Sequence, residues 1–142
     1  MGEPARGLRM SAASTTQIRL WGVRGSVPTP EASKLRYGGN TACVEVRLPG
    51  GELLILDAGT GIRALGDALL SDPALHGRPI HLLLTHFHWD HIEGLPFFAP
   101  LYQPERRIHF HGPAGKHGLA ASNTGTRRWT ARCGSTRRAP IS

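Results

Sequence analysis

The sequence predicts an α/β fold, and three observations predict it. Short apolar or alternating runs, QIRLW, TACVEVRL, ELLILD, IHLLLT and RIHFH, read as strands. Between two of them lies a stretch with Ile62, Leu65 and Leu69 at helical spacing. Gly- and Pro-containing segments separate these elements.

The elements follow in order. QIRLW is a short strand, and the Gly- and Pro-rich stretch GVRGSVPTPEASKLRYGGN after it is a loop. TACVEVRL alternates small or apolar with polar residues, PGG makes a turn, and ELLILD is apolar, so the two runs predict a hairpin. Thr60 stands where a cap is needed for a helix through Leu70, whose buried face would be Ile62, Leu65 and Leu69. IHLLLT predicts a buried strand, and a further helix is expected to start within HWDHIEGLPFF, interrupted by Pro96. RIHFH is a last strand, ended by Gly112 and Pro113; His109 and His111 alternate with Ile108 and Phe110 and are read as its polar face.

The ends differ from this middle. Residues 1–16 are small, polar and aperiodic, which predicts a disordered leader, and residues 17–115 read as one domain. Residues 116–142 have few aliphatic residues and no acids, which predicts a basic, disordered tail. The net charge of +7 is localised there: up to Gly115 eleven Lys and Arg stand against ten Asp and Glu, and the other six basic residues follow. Weak, nonspecific contact with nucleic acid through Arg127, Arg128, Arg132, Arg137 and Arg138 is therefore expected from the tail alone.

Composition excludes several classes. No run of about eighteen apolar residues could span a bilayer, and the start lacks the apolar centre of a secretory signal, so a soluble, cytoplasmic protein without a membrane partner is expected. Arg6 occupies the position where an N-terminal lipidation signal has Ser or Thr. Cys43 and Cys133 form no CxxC pair, and Cys43 reads as a small core residue. His76 sits in a polar loop, and Trp21 and Trp89 read as core aromatics.

The chemistry concentrates in THFHWDH, residues 85–91, directly after IHLLLT. Imidazole and carboxylate are the ligands that borderline cations such as zinc take, and a loop at a strand end can turn several of them inward. In extended chain His86 and His88 project to one side and can share one metal. Asp90 and His91 come where the chain turns, and can serve an adjacent second ion about 3.5–4 Å away. These four side chains are expected around one concave pocket, with ring nitrogens converging on a common point.

HFHWDH resembles the HxHxDH signature of the metallo-β-lactamase superfamily. WGVRGSVPTP, YGGNTACVEV, ILDAGTGIRALG and LTHFHWDHIEGLPFF together resemble its branch of cyclic-nucleotide and phosphonate-pathway phosphodiesterases and tRNA 3′-processing endonucleases. The resemblance runs over about residues 17–115 and implies the amino-terminal half of an αββα sandwich, a mixed sheet with flanking helices. It implies a metal-dependent hydrolase acting on a small phosphodiester or an RNA-type substrate. His86 and His88 would hold the first ion, Asp90 and His91 the second, with zinc, manganese or iron as the metal. Asp90 would also orient the attacking water, as the catalytic residue. Asp57, in LDAGTG, matches a position that supports the metal loops from behind, while a turn into a helix suffices to explain Gly59 and Gly61.

The family takes further ligands from well downstream: a third histidine for the first ion, a bridging carboxylate and another histidine. Here the last acidic residue is Glu105, and the histidine beyond RIHFH is His117. The expectation is an incomplete ligand set in a truncated or frameshifted chain, with an unpaired sheet face inviting self-association. The alternatives are a non-catalytic metal-binding fragment and nucleic-acid binding through the tail.

Overall fold

The structure is a computed structural model that describes residues 15–113 and 129–131, with only the backbone of the latter segment. Its strands are β1 (Gln17–Gly22), β2 (Cys43–Arg47), β3 (Leu53–Leu56), β4 (Ile80–Leu83), β5 (Ile108–His111) and β6 (Trp129–Ala131). They form one sheet of order β1-β2-β3-β4-β5-β6. β1, β2 and β3 pair antiparallel in turn, β3, β4 and β5 run parallel, and β6 returns antiparallel to β5. The sheet is therefore mixed, and β3, helix and β4 make a parallel crossover of the kind that α/β folds are built from.

The helix α1 spans Gly61–Leu70, and Ile62, Leu65 and Leu69 are wholly buried, as their spacing predicts. They pack on Cys43, Leu53, Ile55, Ile80, Leu82 and Ile108, which alternation along four neighbouring strands brings to the same face of the sheet. Each such side chain contributes on the order of 1.5–3 kcal/mol by leaving water. Thr60 occupies the cap position, yet its hydroxyl makes no capping bond. Instead Thr60 Oγ1 accepts from the Thr41 backbone N–H at 2.9 Å, and Thr41 Oγ1 accepts from the Thr60 N–H at 2.8 Å. This reciprocal pair ties the start of the helix to the approach to β2.

The same buried face holds a carboxylate. Glu45, 2 % exposed, accepts from Trp21 Nε1 at 2.8 Å and pairs with Arg47, which also reaches Asp72 at 2.9 Å. A buried charge is tolerated where it is paired and hydrogen-bonded, and the carboxylate has both. The opposite face of the sheet carries Ile18, Leu20, Val44, Val46, Leu54 and Leu56; Ile18 and Leu20 remain 67 % and 63 % exposed.

Three sequence expectations are corrected. The segment after Trp89 forms no α-helix: it makes short 3-10 turns at Trp89–His91, Leu95–Phe97 and Ala99–Tyr102. Prolines open the last two, and the chain is held to the end of β3 by Ala58 N–H to His91 O at 2.7 Å and Gly94 N–H to Ala58 O at 2.9 Å. Those bonds use backbone groups that a continuous helix would need for itself. Trp89 lies 77 % exposed rather than in the core, whereas Trp21 packs against it. Within the expected tail, Trp129–Ala131 pair with β5, since a strand edge offers unpaired backbone groups to any nearby extended segment. Residues 1–14 of the expected leader, the rest of the tail with its arginines, and Cys133 lie outside the described residues.

Candidate metal centre

The HFHWDH segment leaves the carboxyl end of β4 and folds back over the ends of β3 and α1. Asp57 stands where β3 ends, buried, with a backbone φ of 61° in the left-handed region. Asp tolerates this conformation better than most residues, and here it aims the carboxylate across the top of β4. Oδ1 accepts from the Thr85 backbone N–H at 2.8 Å, both carboxylate oxygens lie 2.9 Å from Thr85 Oγ1, and Oδ2 accepts from His91 Nδ1 at 2.8 Å.

These contacts fix two tautomers. A carboxylate only accepts, so the proton between His91 and Asp57 sits on Nδ1, and the neutral ring in that tautomer has its lone pair on Nε2. Thr85 has a single hydroxyl proton, and its place between two carboxylate oxygens commits that proton to Asp57. His86 Nδ1, 2.9 Å from Thr85 Oγ1, must then be the donor, so His86 also presents a bare Nε2.

Asp90 is buried, and its Oδ2 accepts from the backbone N–H of Ser26 at 2.8 Å. That N–H, helped by His91 and His88 nearby, holds the carboxyl below its ordinary range, so it is ionised near neutral pH. Ser26 itself has a φ of 70° in the long loop after β1 and was not singled out in the sequence. Its partner lies 64 positions away, a relationship no local pattern carries. Thr41 is similarly buried beneath the site, donating to Glu93 at 3.1 Å. Gly59 is there for close approach, not for turn freedom: a Cβ would lie 2.4 Å from the Asp90 carbonyl oxygen and from Thr41 Oγ1.

The four predicted ligands are thus neighbours. The His86 ring meets the His91 ring at 4.0 Å between centroids and the His88 ring, edge-on, at 4.5 Å. His91 Nε2 stands 3.4 Å from Asp90 Oδ2. Both of these atoms are acceptors, and acceptors that close repel unless a proton or a cation lies between them. The donor types therefore fit a borderline divalent ion. The expected convergence of all ring nitrogens on one point is not found: among the described residues, no group of three or more His, Cys, Asp or Glu side chains is arranged to hold an ion. His76 bonds to the Leu70 carbonyl at the end of α1, away from the site, and no described helix is long and apolar enough to cross a membrane.

Residues 36–120 match the model of the metallo-beta-lactamase superfamily. The chain belongs to this superfamily. A metallo-beta-lactamase fold accounts for the mixed sheet, for the single helical layer on one face and for the motif loop at the carboxyl end of β4. Among relatives, the chain is 31 % identical over 103 residues to a ribonuclease Z of Pyrococcus horikoshii, covering 70 % of this chain and 30 % of that protein. It is 30 % identical over 111 residues to a ribonuclease Z of Haloarcula marismortui, covering 73 % of this chain and 30 % of that protein. The chain thus spans about 30 % of the length of these relatives. No solved structure matches it.

Proposed function

We propose that the chain carries the metal-binding part of a metal-dependent hydrolase of phosphodiester bonds acting on an RNA-type substrate. The observation that carries the reading is the single carboxylate of Asp57, which through Thr85 and His91 sets two rings of the motif with Nε2 outward. Supporting carboxylates that fix the tautomer of a metal-bound imidazole are a regular feature of such centres. Relatives named ribonuclease Z support the substrate class.

In this reading His86, His88, His91 and Asp90 hold zinc, or manganese or iron in its place. A bound divalent ion supplies a water of lowered pKa and neutralises charge growing on the phosphate oxygens. The protein's own part is positional. Asp57 orients His91 directly and His86 through Thr85, the Ser26 N–H keeps Asp90 ionised, and Asp90 accepts a hydrogen bond from the water that attacks phosphorus.

Among the described residues no three donors are arranged to hold an ion, which favours a second reading in which two donors bind a cation and the chain does not turn over phosphodiesters. Zinc content of the 1–142 chain, measured together with hydrolysis of bis-p-nitrophenyl phosphate, separates the two. Bound metal with turnover supports the hydrolase, and bound metal without turnover supports the second reading. A chain that takes up no metal contradicts both.

A further inference from the structure

A second group of imidazoles lies on the sheet itself, away from the motif loop. His81 on β4 pairs in register with His109 on β5, and His111 follows two positions along the same strand. Side chains alternate with period two, so all three stand on the face opposite the α1 core, beside Leu54 and Leu83. The His81 ring stacks on His109 at 4.9 Å and on His111 at 5.4 Å, each at 24° between planes. His81 Nδ1 and His111 Nε2 are 3.1 Å apart. His109, expected on the polar face of the strand, is 7 % exposed.

We propose that His81 and His111 form a separate two-imidazole site for one borderline transition-metal cation, zinc in the first instance, with water completing its shell. An ion about 2.0–2.1 Å from each nitrogen would subtend roughly 100° across that separation, between the angles of square and tetrahedral coordination. In the metal-free pair one ring nitrogen donates its proton to the other. The cation takes the place of that proton, which moves by exchange with solvent to the other nitrogen of the same ring, so both imidazoles stay neutral. Strand register holds both rings before any ion arrives, so little ordering entropy is lost on binding, and the stacked His109 limits rotation of His81. The half-buried leucines on either side reduce competition from water for the donors.

The test uses the full 1–142 chain with His86→Ala, His88→Ala and His91→Ala, which removes the motif loop's imidazoles and makes the outcome independent of the reading above. Zinc titrated into this variant by calorimetry should bind at one ion per chain. Adding His111→Asn should weaken that binding at least about tenfold, whereas adding His76→Asn should leave it unchanged. Shielding of the buried Cys43 thiol reports whether each variant is folded. The imidazole nitrogen resonances of the variant without His111→Asn provide a check free of further substitution, and zinc should shift those of His81 and His111 most. No uptake by the triple variant, uptake indifferent to His111→Asn with Cys43 still shielded, or zinc shifts confined to other histidines would overturn the proposal.

Discussion

Asp57 and His91 are joined by a 2.8 Å hydrogen bond from the ring Nδ1 to the carboxylate, and Asp57 makes it from a left-handed backbone. Asp57→Asn is the informative substitution, because Asn tolerates a φ of 61° as Asp does but presents one oxygen and no charge. It should lower zinc affinity about 10- to 100-fold while leaving the fold intact. Chelator competition measures this, and equal affinities would separate Asp57 from the metal centre.

Cys43 is wholly buried, and its thiol is pushed up to about 12 by burial first and by the nearby Glu45 and Asp57 carboxylates second. In a Cys133→Ser background, Cys43 should resist thiol reagents at pH 8 until denaturant unfolds the chain. The pH dependence follows from the sign. With the folded value raised above the ordinary 9.0, this thiol's contribution to stability is full below about 9 and is lost as pH rises toward about 12. Rapid labelling of the native chain would show the core to be open around β2.

Asp72 lies at the other end of the ion-pair chain. Its carboxyl is held below the ordinary 3.8 by the Arg47 guanidinium first and the Ala74 N–H second. A depressed folded value means the stabilisation is present above about pH 4 and disappears as the carboxyl is protonated on further acidification. Denaturant midpoints of the parent chain and Asp72→Asn should therefore differ most near neutrality and merge toward pH 3. A constant offset across that range would assign the effect to something other than the carboxylate charge.

Gly94 packs against the end of β3, where a Cβ would lie 2.1 Å from the Gly59 carbonyl oxygen and 2.7 Å from Ile62 Cγ2. Backbone cannot yield as a flexible side-chain tip can, so Gly94→Ala should destabilise the chain by about 1–3 kcal/mol. Because Gly59 adjoins the motif through Asp90, zinc affinity should fall as well. Unchanged thermal midpoint and affinity would contradict the close packing of these two loops.

What could be read from the sequence was whatever local periodicity carries. Ile62, Leu65 and Leu69 announce α1, short apolar or alternating runs announce β1 to β5, and the spacing of His86, His88, Asp90 and His91 marks the motif. What could not be read depends on partners far along the chain. Ser26 matters because a loop brings its N–H to Asp90, and His81 joins His111 only through the parallel register of β4 and β5. The helix expected after Trp89 failed for the same reason, since its backbone bonds go to Ala58 on the neighbouring loop. Gly59 looked like a turn residue until Thr41 and the Asp90 carbonyl were found against it. Trp129–Ala131 carried no apolar pattern of their own and were ordered by the edge that β5 presents.

Metal binding by HFHWDH is tested by zinc stoichiometry compared between the 1–142 chain and its His86→Ala, His88→Ala, His91→Ala variant. Native mass spectrometry at matched free zinc should show the parent chain holding more zinc than the variant, the difference being at least one ion per chain. Equal zinc content in two chains with equally shielded Cys43 thiols would contradict it.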